Sequence, residues 1–185
     1  MNQIIYKVQF FDFWHTGSGL AGSTYADNIV HKNEDNLPII AGKTIKGLFR
    51  EAAESIHKLD TALITADFIA AVFGSADAEP DSFFSNVTLS RTLSEGIVSN
   101  NNQNALYQVI ASTEIDGDGQ AKDGSLRMLE VTIPLSLYGS IENVSTDYVK
   151  QMIHCFNWVK ELGVNRNRGL GRCHISIVKP KISGV

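Results

Sequence analysis

Two short stretches of this sequence concentrate positive charge. Lys43, Lys46 and Arg50 fall within eight residues free of acid, and Lys160, Arg166, Arg168, Arg172, Lys179 and Lys181 share the segment 160–185 with Glu161 alone. The first stretch carries +3 and the second +5 in a chain of formal charge −4, which leaves −12 on the rest. Phosphate recognition usually needs a basic surface, so the total speaks against a nucleic-acid binder while the distribution permits one. A bipolar molecule could hold a polyanion on one face and protein neighbours on another. The plainer account is that charges cluster by chance on solvated faces.

Other motifs fail on inspection. Gly17-Ser18-Gly19-Leu20-Ala21-Gly22 spells G-x-G-x-x-G after a strand, the pattern that cradles a pyrophosphate at a helix N-terminus. The helix it needs is missing, because STYADNIVHKNEDNLP follows with turn formers throughout. Gly42-Lys43-Thr44 imitates the end of a phosphate-binding loop, but Leu37 stands where that motif needs glycine. Asp116-Gly117-Asp118-Gly119 hints at a calcium loop, yet Gln120, Ala121 and Arg127 occupy positions that want Asp or Asn, Gly and Glu, so a turn is the better reading. The histidines at 15, 31, 57, 154 and 174 show no zinc spacing. Cys155 and Cys173, the only cysteines, are too few and too far apart for a disulfide framework or thiolate site, and read as core residues.

The elements that must position the basic residues follow from hydrophobic periodicity. Residues 3–13 are rich in β-branched and aromatic types and predict a largely buried first strand. Segment 15–42, with Gly17, Gly19, Gly22, Asp27, Asn28, Asn33, Asn36 and Pro38, has loop composition and unusual length, so it is the first place to look for a site. Ile45, Leu48, Phe49, Ala52, Ala53, Ile56 and Leu59 recur at three- and four-residue steps and predict an amphipathic helix over 43–59, with Lys43, Lys46 and Arg50 together on its polar side. A shorter apolar helix is expected at 65–73, capped by Thr65 and ended by Gly74. Strands are expected at 83–90, 105–112 and 128–141, the last bent or at an edge because of Pro134. Segment 94–104 reads as an exposed, mobile loop and 114–126 as a polar excursion. Val149, Met152, Ile153, Phe156, Val159 and Leu162 share a helical stripe over 146–162 between a Ser145 cap and Gly163, and 172–179 reads as a final strand. Phe10, Phe11, Phe13 and Trp14 could stack on bases, though an aromatic run in a strand is more often core.

At 185 residues, with 43% hydrophobic and 19% charged, the chain suits one packed domain over 1–185. It contains no run of about 18 apolar residues, and Lys7 and Asp12 interrupt its apolar N-terminus, so neither a transmembrane helix nor a signal peptide fits and no membrane partner is expected. A cytoplasmic address follows. The order strand, helix with its short companion, strand, strand, helix, strand is the ferredoxin-like split βαβ pattern. The expected fold is therefore α+β, with an RRM-like antiparallel sheet, helices on one face, and long loop insertions.

Taken together, LPIIAGKTIKGLFREAAESI at 37–56, HTGSGLAG at 15–22 and GVNRNRGLGRCHISI at 163–177 resemble the RAMP superfamily, the repeat-associated proteins of CRISPR systems. More narrowly, the chain resembles the backbone subunit of type III effector complexes. The family pattern runs from a strand through a Gly loop and an aspartate to Pro-x-Ile-Pro-Gly-Ser-x-x-Lys-Gly opening a helix. Here Gly17, Gly19, Asp27, Pro38, Ile40, Gly42, Lys46 and Gly47 match it. The family's late arginine loop is matched by Gly163, Arg166, Arg168, Gly169, Gly171 and Arg172, and EIDGDGQAKDGSLRMLEVTIP at 114–134 resembles its Ile-Asp, Ala, Gly-x-Leu-x-x-Glu-x-x-x-Pro segment. Ala41 and Lys43 replace the usual proline and serine, and Gly117 stands where the family often has arginine.

The resemblance implies binding of a CRISPR guide RNA and its target RNA. A helix N-terminus gathers free N–H groups and positive dipole, so Gly42 to Gly47 would receive a phosphate, with charge from Lys43, Lys46 and Arg50. Gly17 and Gly19 would let the backbone come close to RNA, and Arg166, Arg168 and Arg172 would offer guanidinium groups. Asp27 matches the aspartate with which the family cuts target RNA. It would hold Mg²⁺ or another divalent cation together with phosphate oxygens, for attack by the RNA's own 2′-hydroxyl. His15 would assist by a hydrogen bond or proton transfer. The implied partners are other CRISPR effector subunits and further copies of the chain along the guide, in antiviral defence. The alternatives are an inert guide-binding subunit, a metal-independent guide-processing endoribonuclease of the same superfamily, and a ferredoxin-like domain that binds a small ligand in its glycine loop.

Overall fold

The computed structural model describes residues 3–17, 26–75 and 79–181; Gly19 and Gly22 of the glycine loop lie outside them. The elements are β1 (Gln3–Phe10), α1 (Gly42–Leu59), α2 (Ala66–Phe73), β2 (Phe83–Phe84), α3 (Arg91–Ser99), β3 (Tyr107–Ser112), β4 (Arg127–Thr132), β5 (Ser136–Glu142), α4 (Val149–Trp158) and β6 (Cys173–Lys181). β1 alternates strictly, burying Ile4, Tyr6, Val8 and Phe10 while Gln3, Ile5, Lys7 and Gln9 face the other way. It runs through the middle of a four-stranded sheet ordered β2-β5-β1-β6, antiparallel at every pairing. That order is the ferredoxin-like arrangement expected from the sequence.

α1 and α4 pack on the buried side of this sheet, where the rings of Tyr6, Phe49 and Phe156 lie 4.9 to 5.7 Å apart. Of the stripe that its periodicity predicts, α1 buries Ile45, Phe49, Ala52, Ala53 and Ile56, half-buries Leu48 and leaves Leu59 exposed at the helix end. A Cβ on Gly42 would strike the Phe84 carbonyl, so glycine lets α1 start hard against β2, and the Asn86 side chain accepts from the Gly42 N–H at 2.9 Å. Thr65 caps α2 as expected, accepting from the Phe68 N–H, and Gly74 ends it. Both cysteines are core residues, and burial pushes their thiols up to about 12. Among the described residues no helix is long and apolar enough to cross a membrane.

Several expectations need correction. Segment 94–104 is not a loop but carries most of α3, which Ser90 caps through the Leu93 N–H and an Arg91–Glu95 pair spans at i,i+4. Its Ile97 and Val98 pack on the core; the asparagine run that suggested a loop only ends the helix, with Asn101 at φ 53°. The expected strand 128–141 divides at Pro134, which removes a ladder donor. Its first half, β4, pairs with β3 in a separate two-stranded ribbon, and only its second half, β5, enters the main sheet. Of 83–90, only Phe83–Phe84 forms a regular strand; Val87 and Thr88 make isolated bridges to Ile40 and Tyr138. The helix expected to reach 162 stops at Trp158, because Val159 and Leu162 turn into the core while Glu161 bridges Arg172. Ser145 caps the 3-10 turn Thr146–Tyr148 that precedes α4. The polar excursion closes as a turn, with the Asp116 carboxylate accepting from the Asp118 and Gln120 N–H groups.

Candidate nucleic-acid interface

β4 pairs with β3 along one edge and offers the other to the long loop. Trp14 exchanges backbone bonds with Thr132 at 3.1 and 2.8 Å, and Asn28 bridges Leu129 in parallel register. Asp27 is thereby laid beside Met128. Its N–H donates to the Met128 carbonyl at 2.9 Å, and its carboxylate Oδ2 accepts from the Met128 N–H at 2.7 Å. The side chain is exposed, and Oδ1 makes no hydrogen bond among the described residues. No group of three His, Cys, Asp or Glu gathers there among the described residues. A divalent cation at Asp27 would thus have one protein oxygen, with water and phosphate oxygens completing its shell, a donor set that suits Mg²⁺.

Glu130 sets the register of this segment. Its carboxylate is buried, with Oε2 accepting from the Val30 N–H at 2.9 Å and Oε1 from Lys32 Nζ at 2.8 Å. Lys32 in turn lies 3.8 Å over the Tyr107 ring. A buried carboxylate is costly unless paired and hydrogen-bonded, and here the loop satisfies both oxygens, so one register of 26–32 against β4 is favoured. His15 is also buried, and its Nδ1 donates to the Glu130 carbonyl at 2.6 Å. A carbonyl can only accept, so the neutral ring keeps its proton on Nδ1 and leaves Nε2 as an acceptor. Burial holds its pKa below the usual 6.5, against the raising effect of Glu130.

Segments far apart in sequence meet at one cleft. Gly17 from the glycine loop, Thr44, Leu48 and Glu51 from α1, and Val164 and Arg166 from the late loop line it together with His15. Backbone bonds fold the late loop inward, from Val164 N–H to the His15 carbonyl at 3.1 Å and from Gly171 N–H to the Phe13 carbonyl at 2.8 Å. Gly163 sits at φ 106°, and a Cβ there would strike the His15 carbonyl, so close approach explains this glycine better than a helix end does. Arg166 and Arg168 are exposed on a 3-10 turn, Arg166–Arg168. Arg172 instead pairs with Asp12, Nε to Oδ2 at 3.0 Å, and leans over Phe11. The neighbouring Phe10 and Trp14 are core residues stacked on each other.

On α1, Lys43 and Lys46 have no carboxylate within ion-pair distance among the described residues, whereas Arg50 pairs with Glu54 at 2.8 Å. That exposed pair adds little stability. Gly47 is exposed with open space where a Cβ would stand, while Gly42 is buried with its amide already taken. The free charge at this helix start is thus Lys43 and Lys46. Sequence reasoning missed Glu130 and Lys32. The signal was present in MLEVTIP, where one acid interrupts an apolar strand and must find a partner if buried.

The sequence model of the RAMP superfamily matches residues 8–174. No curated protein matches the chain in sequence. Among solved structures, a chain of type III-B Cmr-beta in its apo state superposes with a TM-score of 0.72 at 12% identity, covering 96% of this chain and 97% of that one. A chain of type III-B Cmr-beta bound to cognate target RNA gives 0.69 at 10% identity, covering 95% and 96%. At such identities the likeness establishes the fold.

Proposed function

This chain belongs to the RAMP superfamily, and from that premise we propose that it is a guide-RNA-binding backbone subunit of a type III CRISPR effector complex that cuts paired target RNA at Asp27. The observation that carries this is the meeting of Gly17, Thr44 and Arg166 in one cleft at the N-terminal end of a basic helix. An RNA backbone brought there meets the first turns of α1 and the Arg166 guanidinium beside the Glu51 carboxylate, and the free ammonium groups of Lys43 and Lys46 lie on the same helix just outside the cleft lining. Asp27 supplies the carboxylate, oriented by its bond to the Met128 amide. A divalent cation at Oδ1 would neutralise charge that develops on a target phosphate while the neighbouring 2′-hydroxyl attacks it. His15, pinned through Nδ1, keeps an unprotonated Nε2 that can accept a hydrogen bond or a proton. The same function implies other effector subunits and further copies of this chain as neighbours along the guide, in the cytoplasm.

The test is to purify the tagged protein from its native cell and sequence the RNA that accompanies it. Short RNAs that share a repeat-derived 5′ end and step in length by a fixed increment are expected; a folded protein that carries no RNA would sink the proposal. The cutting role is tested separately, since Asp27→Ala complexes and complexes stripped of Mg²⁺ should retain guide and lose target cleavage. One observation favours a second reading, an inert guide-binding subunit: the Oδ2 bond to Met128 gives Asp27 a structural task of its own. Unchanged target cleavage in Asp27→Asn complexes would select it.

A further inference from the structure

A second group of cations lies away from α1. Arg127, at the start of β4, and Arg168, in the late loop, line one polar cavity of about 440 Å³ at the base of the hairpin that joins β3 to β4. Arg127 donates to the Leu126 carbonyl at 3.3 Å, and the Arg168 side chain makes no hydrogen bond among the described residues. Neither has a carboxylate within ion-pair distance among those residues. The cavity also holds Lys122, which Glu114 neutralises at 3.3 Å, and Asp123, so one positive charge is left over. The hydroxyls of Ser112 and Thr113 add donors.

Two guanidinium groups that share a cavity repel each other unless an anion lies between them. A phosphodiester matches the excess in charge, and its two free oxygens match the planar donor forks. Arg127 directly precedes Met128, whose amide holds the Asp27 carboxylate. We infer that this cavity is a second RNA-phosphate site, distinct from the cleft of Thr44 and Arg166, which grips the strand presented to Asp27. The inference rests on the proposal that the chain binds RNA. It divides the RNA-binding surface into two patches, one on α1 and one at the foot of the hairpin.

Binding of a short single-stranded RNA by the full chain, followed over a salt series, tests this. For each phosphate that the protein no longer neutralises, the slope of log affinity against log salt falls by about 0.7 on single strands. Arg127→Gln/Arg168→Gln should lower the slope by about that amount and weaken binding several-fold, and Lys43→Gln/Lys46→Gln should do so independently. Arg127→Lys should keep the slope yet lose affinity, because the charge stays and the fork goes. The replaced arginines are exposed, so the variants are expected to fold. If the lysine pair lowers the slope and the arginine pair leaves slope and affinity unchanged, the cavity is no phosphate site although the chain binds RNA. If the unaltered chain binds no RNA at any salt concentration, both proposals fall.

Discussion

Around Tyr6, the four-stranded sheet, α1 and α4 bury ring against ring, and Phe49 and Phe156 are fully enclosed. Around Glu130, the β3–β4 ribbon holds the Asp27 segment by backbone bonds, a histidine and one ion pair whose carboxylate is buried and whose ammonium is half-buried. The first region gains its stability from apolar area, which is non-directional and tolerates small displacements. The second depends on hydrogen bonds, which fix register and angle. The scaffold and the candidate site are thus held by different forces, and a substitution can weaken one while sparing the other.

The largest effect is expected in the scaffold. Phe49→Ala removes the ring that touches Tyr6, Phe84 and Phe156, and should cost about 3–5 kcal/mol in urea unfolding. A loss below about 1 kcal/mol would mean that the core is not where the rings place it. Glu130→Ala should cost about 1–3 kcal/mol, since it strips the Val30 amide and Lys32 of their partner. Hydrogen exchange should show the difference between regions: the Val30 amide should lose protection while β1 amides keep theirs. Equal loss in both would make sheet and ribbon one cooperative unit.

Tyr6→Phe runs the other way. Among the described residues the Tyr6 hydroxyl is buried without a partner, against Gly139, and burial pushes its pKa well above the usual tyrosine value. Its removal should raise stability by about 1 kcal/mol, and a loss of stability would reveal a hidden partner for the hydroxyl.

Acid should act on the ribbon before the sheet. His15 has a folded pKa below its unfolded 6.5, so the unfolded chain binds the extra proton as pH falls through 6.5, and the native state loses stability from there downward to the folded pKa. His15→Gln should flatten that part of the pH profile, and an unaltered slope would clear His15 of the effect. The smallest change in stability, within about 0.5 kcal/mol, is expected for Asp27→Asn, because the amide oxygen can still accept from the Met128 N–H. Its fold should survive while target cleavage is lost.

The parts legible in sequence were those whose cause is local. α1 appears in the three- and four-residue spacing from Ile45 to Leu59, α2 in Thr65 and Gly74, and β1 in its alternation. α3 was local too, and was hidden only because the asparagines that end it outweighed the Ser90 cap and the Arg91–Glu95 pair that begin it. Lys43, Lys46 and Arg166 could be singled out from charge and glycine spacing, but nothing nearby in sequence showed that Arg172 would turn to Asp12 or Arg50 to Glu54.

By itself, then, the sequence determined the helices, the central strand, the ferredoxin-like order and the motifs that mark the superfamily, because periodicity, capping and short motifs are properties of neighbouring residues. Tertiary structure decided what those motifs touch. Pro134 sends β4 and β5 to different sheets, and Glu130 finds Val30 across 100 residues of chain. Arg127 and Arg168 meet only because the late loop folds back to the foot of the hairpin. A hydrogen bond or ion pair between distant segments leaves no periodic trace, since either partner alone looks like an ordinary polar residue until the fold brings the two together.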